Sequence, residues 1–573
     1  MVASSCTPML LTRARLVMIL FPLALVLLVW QFARRLFGQQ AALLATVLLI
    51  LEPNILAHGA LANTDVALIT SFFAAVFAFY EYTQDPSSWK AVLVGVAIGI
   101  TLSSKFSGVV IVPVLIALAA IEIFFRRRLL LAELSVSRRL RDLILASATA
   151  ILMAWSVYGF HFEARPKTGY IAKWQRIVLT NRPVQASSEV RQATRVISLF
   201  RAVKVLPKVY LDGLEAILQS TSAGRRMYLF GRTYEKGRWF YFPALLLIKL
   251  TLPSLLLLIL SASQVSFWFA HRRQLLYLVV PAITFLSFSM RSALDIGFRY
   301  ILPVLPFVLV FASAGAVAFS SSSLKRATLV IAMLLWHAFS CARAFPNYLS
   351  YANEAFGGPQ DAYKYVSDSN VDWGQSLKEI REYLVHNPAE PCWFIQNGTA
   401  DAGYYRIPCD TAFEEAYPSR IVHALPKRMQ GTVLVSAYYL TGLGWFQEFG
   451  TDPFSAFKSE VPVMKIGGSS VLVFRGDFDT HLLAAISASL LAAKLQRKGQ
   501  LDAALQYATS AASLAPEAAY PQLALCSVHE ALGSFDAAAF HCQLGQTSLV
   551  MHADYNHDLL MVAKAIASNL QKH

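Results

Sequence analysis

The sequence is poor in charge. Only 15% of its 573 residues are Asp, Glu, Lys or Arg, whereas 56% are hydrophobic and the mean hydropathy is +0.48. One soluble core cannot bury that much apolar surface, so lipid must be part of the solvent of this protein. The composition therefore excludes an ordinary soluble enzyme and indicates an integral membrane protein.

Acidic residues are scarcer than basic ones, and the formal net charge is +15. In a soluble protein this excess would suggest a nucleic-acid partner. Here many arginines lie in short loops beside apolar runs, where membrane topology accounts for them better. We expect no nucleic-acid partner.

Cysteine is also scarce, with six residues, no C-x-x-C motif and no zinc-type spacing with histidine. We therefore expect no metal site built on cysteine. If the C-terminal part faces an oxidising compartment, Cys392 and Cys409 are candidates for one disulfide, and Cys526 and Cys542 for another. Free buried thiols are the alternative.

Long apolar runs are abundant, and we interpret each as a helix of spanning or nearly spanning length. They lie near 14–33, 40–57, 65–82, 90–104, 107–125, 142–160, 241–262, 274–290, 298–319 and 326–343. The fourth is the shortest. The predicted fold class is mainly α, with a polytopic helical membrane domain over residues 1–343.

Basic residues in the short loops predict the orientation, because such loops face the cytoplasm. They are Arg126, Arg127, Arg128, Arg138, Arg139, Arg141, Arg272, Arg273, Lys325 and Arg326. Residues 58–65, a long loop at 161–240, residues 291–297 and everything after about 344 are then predicted to face outward.

Two further regions follow the membrane domain. Residues 344–480 mix charge, Gly and Pro with short alternating runs, which predicts a small outward-facing α/β domain with an amphipathic helix near 374–386. Residues 481–573 repeat with a period of 34, as Gly499 and Asp502 recur at Gly533 and Asp536. This pattern resembles the tetratricopeptide repeat and indicates a surface for a protein partner.

Polar residues at the outer helix ends are the candidate site, because ionisable groups at membrane depth are costly. Glu52 lies in an apolar run before a proline, and His58 and Asp65 follow close by. For Asp65 the alternative is helix capping together with Thr64, and for His58 a structural role is favoured.

Four more candidates interrupt or flank later helices: Lys105, Lys249, Asp295 and Arg299. A lysine here either neutralises a lipid phosphate or extends to the membrane interface. Arg299 beside Asp295 is suited to clamp a phosphate, and the alternative is an ordinary interfacial anchor.

Five segments appear in the same order as in bacterial membrane glycosyltransferases resembling protein O-mannosyltransferases, which are glycosyltransferase family 39 members of the GT-C class. They are Leu51–Asp65 (LEPNILAHGALANTD), Ser103–Ser107 (SSKFS), Tyr228–Pro243, Gly297–Pro306 (GFRYILPVLP) and Ala344–Gln375. The resemblance covers about residues 10–480.

This resemblance implies an enzyme of the bacterial cytoplasmic membrane that moves a sugar from a polyprenyl-phosphate donor to a protein or glycan acceptor hydroxyl outside. No cofactor beyond that lipid-linked donor is implied. By resemblance, Glu52 and Asp65 would be the catalytic pair that organises donor and acceptor. Lys105 and Arg299, with His58 and Asp295 nearby, would bind substrate and meet its phosphate.

One departure from the family concerns its first outer loop, where members carry an Asp-Glu pair whose Asp is the presumed base. Met1–Thr12 contains no acidic residue. We expect either that a preceding helix and acidic loop are missing from this chain or that this copy is inactive. The alternative function is then a catalytically silent membrane scaffold that presents its repeats to a partner.

Overall fold

The computed structural model describes residues 7–125, 136–163, 188–388, 391–411, 421, 423–443 and 452–551. Three parts of the predicted features lie outside these residues: Arg126, Arg127 and Arg128 of the predicted cytoplasmic loop, residues 164–187 of the predicted 161–240 loop, and the chain from residue 552. Contacts divide the chain into two compact units. The first is Met1–Arg225 with Lys236–Phe356, and the second is Arg226–Glu235 with Gly357–His573.

The first unit is helical. Its helices are α1 (Thr7–Met18), α2 (Leu20–Phe37), α3 (Gln39–Ile50), α4 (Pro53–Gly59), α5 (Asp65–Gln84), α6 (Ser88–Ser104), α7 (Ile111–Phe125), α8 (Val136–Val157), α9 (Ser188–Ala202), α10 (Lys208–Ala223), α11 (Tyr241–Lys249), α12 (Leu252–Ala262), α13 (Val265–Ala270), α14 (Arg272–Arg291), α15 (Leu305–Ser320) and α16 (Leu324–Ala344). Short 3-10 turns cover Phe106–Val110, Phe298–Tyr300 and Leu302–Val304.

Within the described part of the chain, seven helical segments are long and apolar enough to cross a membrane. Two bent helix pairs, α3 with α4 and α11 with α12, raise the number to nine, and α6 is a shorter apolar helix. The ten apolar runs of the sequence therefore all correspond to helices. The helical membrane fold class is confirmed.

The two bent pairs differ from the straight helices that the sequence predicts. The axis turns by 60° between α3 and α4 and by 111° between α11 and α12. Pro53 and Pro253 stand in the first turn after each break, where a proline cannot donate the hydrogen bond that would continue the preceding helix. Glu52 and Thr251 cap the new helices with their side-chain oxygens.

The α11–α12 break is held by a segment that follows α16. The Asn353 backbone N–H donates to the carbonyl of Ile248 (2.9 Å). The Asn353 side-chain amide donates to the carbonyls of Leu247 (2.6 Å) and Leu250 (2.9 Å). These carbonyls end a helix and have no continuing turn to supply donors, so Asn353 satisfies them.

Replacing Asn353 by Ala is expected to lower the free energy of unfolding by about 2–4 kcal/mol, because two buried carbonyls lose their donors. Denaturant titration of the purified protein in detergent measures this loss. Asn347→Ala, in the same segment but half-buried, is the matched control and should change stability much less. Equal effects of the two substitutions would contradict the proposed bracing role of Asn353.

Ion pairs tie the helices at one end of the first unit. Arg35 at the end of α2 contacts Glu81 near the end of α5 (3.4 Å). Arg273 at the start of α14 pairs with Glu122 near the end of α7 (2.8 Å), and Tyr277 donates to the same carboxylate. Because α5 and α7 both finish here, their first residues lie at the opposite end.

The second unit contains a two-stranded ribbon, β1 (Met227–Leu229) and β2 (Arg232–Tyr234), and a sheet of β3 (Cys392–Ile395), β4 (Arg428–Ser436), β5 (Met464–Ile466) and β6 (Val471–Asp479). The order of the larger sheet is β3-β4-β6-β5. Strand β3 runs parallel to β4 and the other pairs are antiparallel. Helix α17 (Leu377–His386) packs its apolar face on this sheet. The small sheet domain is confirmed.

Two short helices, α18 (Ala437–Leu440) and α19 (Ser455–Lys458), precede four longer ones, α20 (His481–Arg497), α21 (Leu501–Leu514), α22 (Ala519–Ala531) and α23 (Phe535–Met551). Gly499 and Gly533 end the first helix of each hairpin with φ of +76°, a conformation that favours glycine. This repeated helix pair fits the 34-residue period. The assignment to tetratricopeptide repeats stays a prediction.

Both candidate disulfides of the second unit are present in the structure. Cys392 on β3 is bonded to Cys409, and Cys526 on α22 is bonded to Cys542 on α23. The alternative of free buried thiols at these four positions is wrong for this structure.

Candidate active site

The α3–α4 break forms the first part of the candidate site. Glu52 Oε1 accepts hydrogen bonds from the Asn54 side-chain amide (2.5 Å) and backbone N–H (3.4 Å). The same amide donates to the carbonyl of Lys249 (2.7 Å), the last residue of α11. Asn54 therefore joins one broken helix to the other, and Glu52, which is fully buried, holds Asn54 in position.

Asp65, Lys105 and Arg299 form the second part. Asp65 begins α5, Lys105 follows α6 and Arg299 lies in the 3-10 turn before α15. Asp65 Oδ1 accepts a hydrogen bond from Lys105 Nζ at 2.6 Å, and Asp65 Oδ2 lies 3.6 Å from Arg299 Nη1. One carboxylate thus stands between two cations, an arrangement that three distant segments of sequence create.

Burial within this ion cluster is unequal. The Asp65 side chain is 2% exposed, whereas those of Lys105 and Arg299 are 21% and 19% exposed. Lys105 Nζ also lies 4.4 Å from the centre of the Tyr300 ring, a cation–π contact. The exposed part of the ion cluster is therefore the cation pair of Lys105 and Arg299, and the Asp65 carboxylate that holds them is buried.

The Asp65 side chain does not cap helix α5, so the capping alternative is wrong for this structure. Thr64 makes no capping side-chain hydrogen bond, and the Asp65 carboxylate is engaged by Lys105. Asn63 Oδ1 instead accepts a hydrogen bond from the Asp65 backbone N–H (3.0 Å), and Glu52 caps α4.

His58 and Lys249 are both buried, with 3% and 2% of their surface exposed. Helix α4, which carries His58, packs against both α5 and the turn Phe298–Tyr300, so the charges of Asp65 and Arg299 act on the His58 ring. Lys249 does not extend to an interface, because its Nζ donates to the carbonyl of Leu349 (2.8 Å) inside the protein. Its interfacial alternative is wrong for this structure.

Asp295 lies in a different environment from the one the sequence suggests. Its Oδ2 accepts a hydrogen bond from the backbone N–H of Arg238 (2.5 Å), in the segment that precedes α11. Gly237 is required beside it, because an added Cβ would approach Asp295 Oδ2 to 2.9 Å and Ala293 Cα to 2.8 Å. The Arg299 guanidinium, expected to clamp a phosphate beside Asp295, instead faces Asp65.

Burial raises the pKa of Asp295 to about 7, and the hydrogen bond from Arg238 opposes this only in part. Between the ordinary pKa of 3.8 and about 7, folded Asp295 keeps a proton that the unfolded chain has released. The free energy of unfolding therefore falls as the pH rises through this window.

Asp295→Asn, which keeps an acceptor for Arg238, removes this pH dependence. The difference in unfolding free energy between Asp295→Asn and wild type is expected to shift in favour of the variant between pH 4 and pH 8. Denaturant titrations at several pH values measure it. A difference that stays constant over this range would contradict the raised pKa.

Two asparagines outside the predicted set, Asn54 and Asn353, form hydrogen bonds at the helix breaks beside this site. Asn54 stands directly after the Glu-Pro pair that ends an apolar run, which is a local signal, whereas the bonds of Asn353 join residues more than 100 positions apart. Among the residues that the structure describes, no group of three or more His, Cys, Asp or Glu side chains is arranged to hold a metal ion.

Comparison with solved structures gives alignments of low sequence identity. The crystal structure of ArnT from Cupriavidus metallidurans bound to undecaprenyl phosphate aligns at 15% identity with a TM-score of 0.38, over 82% of this chain and 84% of that one. An Archaeoglobus fulgidus oligosaccharyltransferase tethered with an acceptor peptide aligns at 15% identity with a TM-score of 0.36, over 64% of this chain. This chain covers only 46% of that oligosaccharyltransferase.

No curated protein gives a significant match to the chain. Residues 10–136 match the family model described as dolichyl-phosphate-mannose-protein mannosyltransferase. The matched range contains Glu52, His58, Asp65 and Lys105. The resemblance to protein O-mannosyltransferases of the GT-C class, which the sequence motifs indicated, is thereby confirmed over residues 10–136.

Proposed function

We propose that this protein is a membrane glycosyltransferase that takes a sugar from a polyprenyl-phosphate donor and transfers it to an acceptor hydroxyl on the outer side of the membrane. The observation that carries the proposal is the Asp65 carboxylate between Lys105 and Arg299, with both cations partly exposed. A pair of oriented cations at a helix end is suited to a phosphate headgroup whose lipid tail stays in the bilayer.

The proposed step is a displacement at the anomeric carbon. The bond between that carbon and the donor phosphate oxygen breaks, and its electron pair stays on the phosphate. The acceptor oxygen bonds to the anomeric carbon and loses its proton, which the departing phosphate takes up, so that atoms and charge balance. Lys105 and Arg299 stabilise the negative charge that grows on the leaving phosphate, an effect that is strong in a water-poor site.

In this proposal Asp65 and Glu52 position other groups. Asp65 is almost fully buried and holds Lys105 and Arg299, which otherwise repel each other. Glu52 is fully buried and holds Asn54 at the junction of the two broken helices. Neither carboxylate has a surface that an acceptor hydroxyl could reach in this state of the protein.

The proposed side of the membrane follows from the charges at the other end of the first unit. Arg35 and Arg273 lie there, and α8 and α16 begin there with Arg138 and Lys325 nearby. Basic helix ends favour the cytoplasm, which supports the proposal that the ion cluster of Asp65 faces the outer side.

Single cysteines test this orientation. Ala60→Cys lies between α4 and α5 near the site, and Ser322→Cys lies between α15 and α16 at the basic end. A membrane-impermeant maleimide added to intact cells is expected to label Ala60→Cys and to label Ser322→Cys only after permeabilisation. The reverse pattern would refute an outward-facing site.

A transfer assay tests the activity itself. Proteoliposomes that contain the full chain are supplied with radiolabelled polyprenyl-phosphate sugars and a mixture of peptide and glycan acceptors. We expect transfer by the wild type and at most background transfer by Lys105→Met. Correctly inserted wild-type protein with no transfer from any donor would favour the silent scaffold.

A further inference from the structure

The second unit has an open groove whose lining residues are not among those of the candidate active site. Helix α17 buries Leu377, Ile380 and Leu384 against the sheet and presents its other face outward. That outward face meets the loop at residues 404–406, and together they line a groove of about 740 Å³. The lining residues are Lys378, Arg381, Glu382, Val385, His386, Tyr404, Tyr405 and Arg406.

The groove is basic. Lys378, Arg381 and Arg406 contribute three cations, and Glu382 is the one carboxylate among the described residues that line it. None of the three cations forms a salt bridge with a residue in the described ranges. Two of the three are arginines, and each guanidinium group can bind a carboxylate or phosphate through paired hydrogen bonds.

Tyrosine supplies the second feature of the groove. The Tyr404 and Tyr405 rings lie 5.3 Å apart and nearly perpendicular to each other. Tyr405 packs against the core of the unit, whereas Tyr404 is 49% exposed. An exposed ring fixed beside cations offers a flat apolar face to a sugar ring, whose C–H bonds form an apolar face of similar size.

A local hydrogen bond and a disulfide constrain the loop that carries these residues. Arg406 adopts a left-handed backbone with φ of +55°, and its N–H donates to the carbonyl of Gly403. The Cys392–Cys409 disulfide ties the segment that follows the loop to β3. A pre-formed site loses less entropy on binding than a flexible one.

We propose that this groove binds an anionic saccharide, a short chain of sugars that carries carboxylate or phosphate groups. Its concave shape fits a chain better than a flat bilayer surface. A helix face also has no free backbone groups to pair with a peptide strand, since its own hydrogen bonds are satisfied within the helix. This binding does not depend on the transfer reaction.

Calorimetric titration of the full chain in detergent tests the groove with defined probes. The anionic probes are hexagalacturonate and a phosphorylated oligomannoside, and the neutral probe is maltohexaose. We expect at least one anionic probe to bind more tightly than maltohexaose, and its affinity to fall with rising salt. The double substitution Arg381→Ala with Arg406→Ala should weaken binding of the anionic probe about tenfold or more.

Two variants complete the test. Tyr404→Ala should weaken binding of the anionic saccharide several-fold. Lys498 is an exposed cation between α20 and α21, and Lys498→Ala should leave the binding affinity unchanged. The proposal is overturned if neither anionic saccharide binds, or if hexaglutamate or phosphatidylglycerol vesicles bind the groove as tightly as the saccharides do. Because binding is measured without turnover, this result is independent of whether the chain transfers sugar.

Discussion

Replacing Arg299 by Ala is expected to lower the rate of sugar transfer by about 100- to 1,000-fold, the usual effect of removing one group that stabilises charge in a transition state. Arg299 Nη1 lies 3.6 Å from Asp65 and its side chain is partly exposed, so a donor phosphate can reach it. The loss should appear in kcat as well as in KM for the donor, because the phosphate gains charge as its bond to the sugar breaks.

Arg291→Ala is the matched control for this substitution. Arg291 is exposed at the last turn of α14, at the same end of the unit but with no contact to the ion cluster among those that the structure shows. It should leave kcat within about twofold of the wild type, as expected for a surface charge. Equal turnover by Arg299→Ala and Arg291→Ala would remove Arg299 from the site.

Replacing Asp65 by Ala is expected to lower the free energy of unfolding by roughly 3 kcal/mol, the lower end of the range for breaking a buried ion pair. Without Asp65, Lys105 and Arg299 face each other with no anion between them. The lower end applies because both cations keep about one-fifth of their side chains exposed. Thermal denaturation in detergent measures the loss.

A phosphate lipid tests whether the two cations that Asp65 holds also bind phosphate. If Lys105 and Arg299 bind phosphate, undecaprenyl phosphate supplies the missing anion and should raise the Tm of Asp65→Ala more than that of the wild type. The double variant Asp65→Ala with Lys105→Met should recover part of the lost stability and lose the response to the lipid. A lipid response that is the same in all three proteins would contradict this account.

The helices of the first unit follow from the sequence because apolar length is enough to identify them. The two bends do not follow from the sequence. The hydropathy of residues 40–57 or 241–262 shows that each segment is apolar, but it does not show whether the helix axis changes direction. Pro53 and Pro253 were the signals, and each is ambiguous because a proline in a membrane helix either kinks it or ends it. The structure shows a break at both positions, because the Glu52 and Thr251 side chains cap the start of a new helix.

The candidate site was predictable only in part. Asp65, Lys105 and Arg299 were expected at one membrane face from helix order, and the structure brings them into contact. Asp295 was expected beside Arg299 because they are close in sequence, but the 3-10 turn Phe298–Tyr300 leaves the Asp295 carboxylate on the Arg238 backbone. The bonds of Asn353 to α11 depend on tertiary packing that no local pattern encodes.

Binding of undecaprenyl phosphate to the purified full chain tests the central proposal most directly, with undecaprenol as the matched lipid that lacks the phosphate. Native mass spectrometry of the wild type, Arg291→Ala and the double variant Lys105→Met with Arg299→Ala gives the bound fraction of each lipid. We expect the wild type and Arg291→Ala to retain the phosphate lipid in preference to undecaprenol and the double variant to lose this preference. A double variant that retains the phosphate lipid as well as the wild type does would contradict the central proposal.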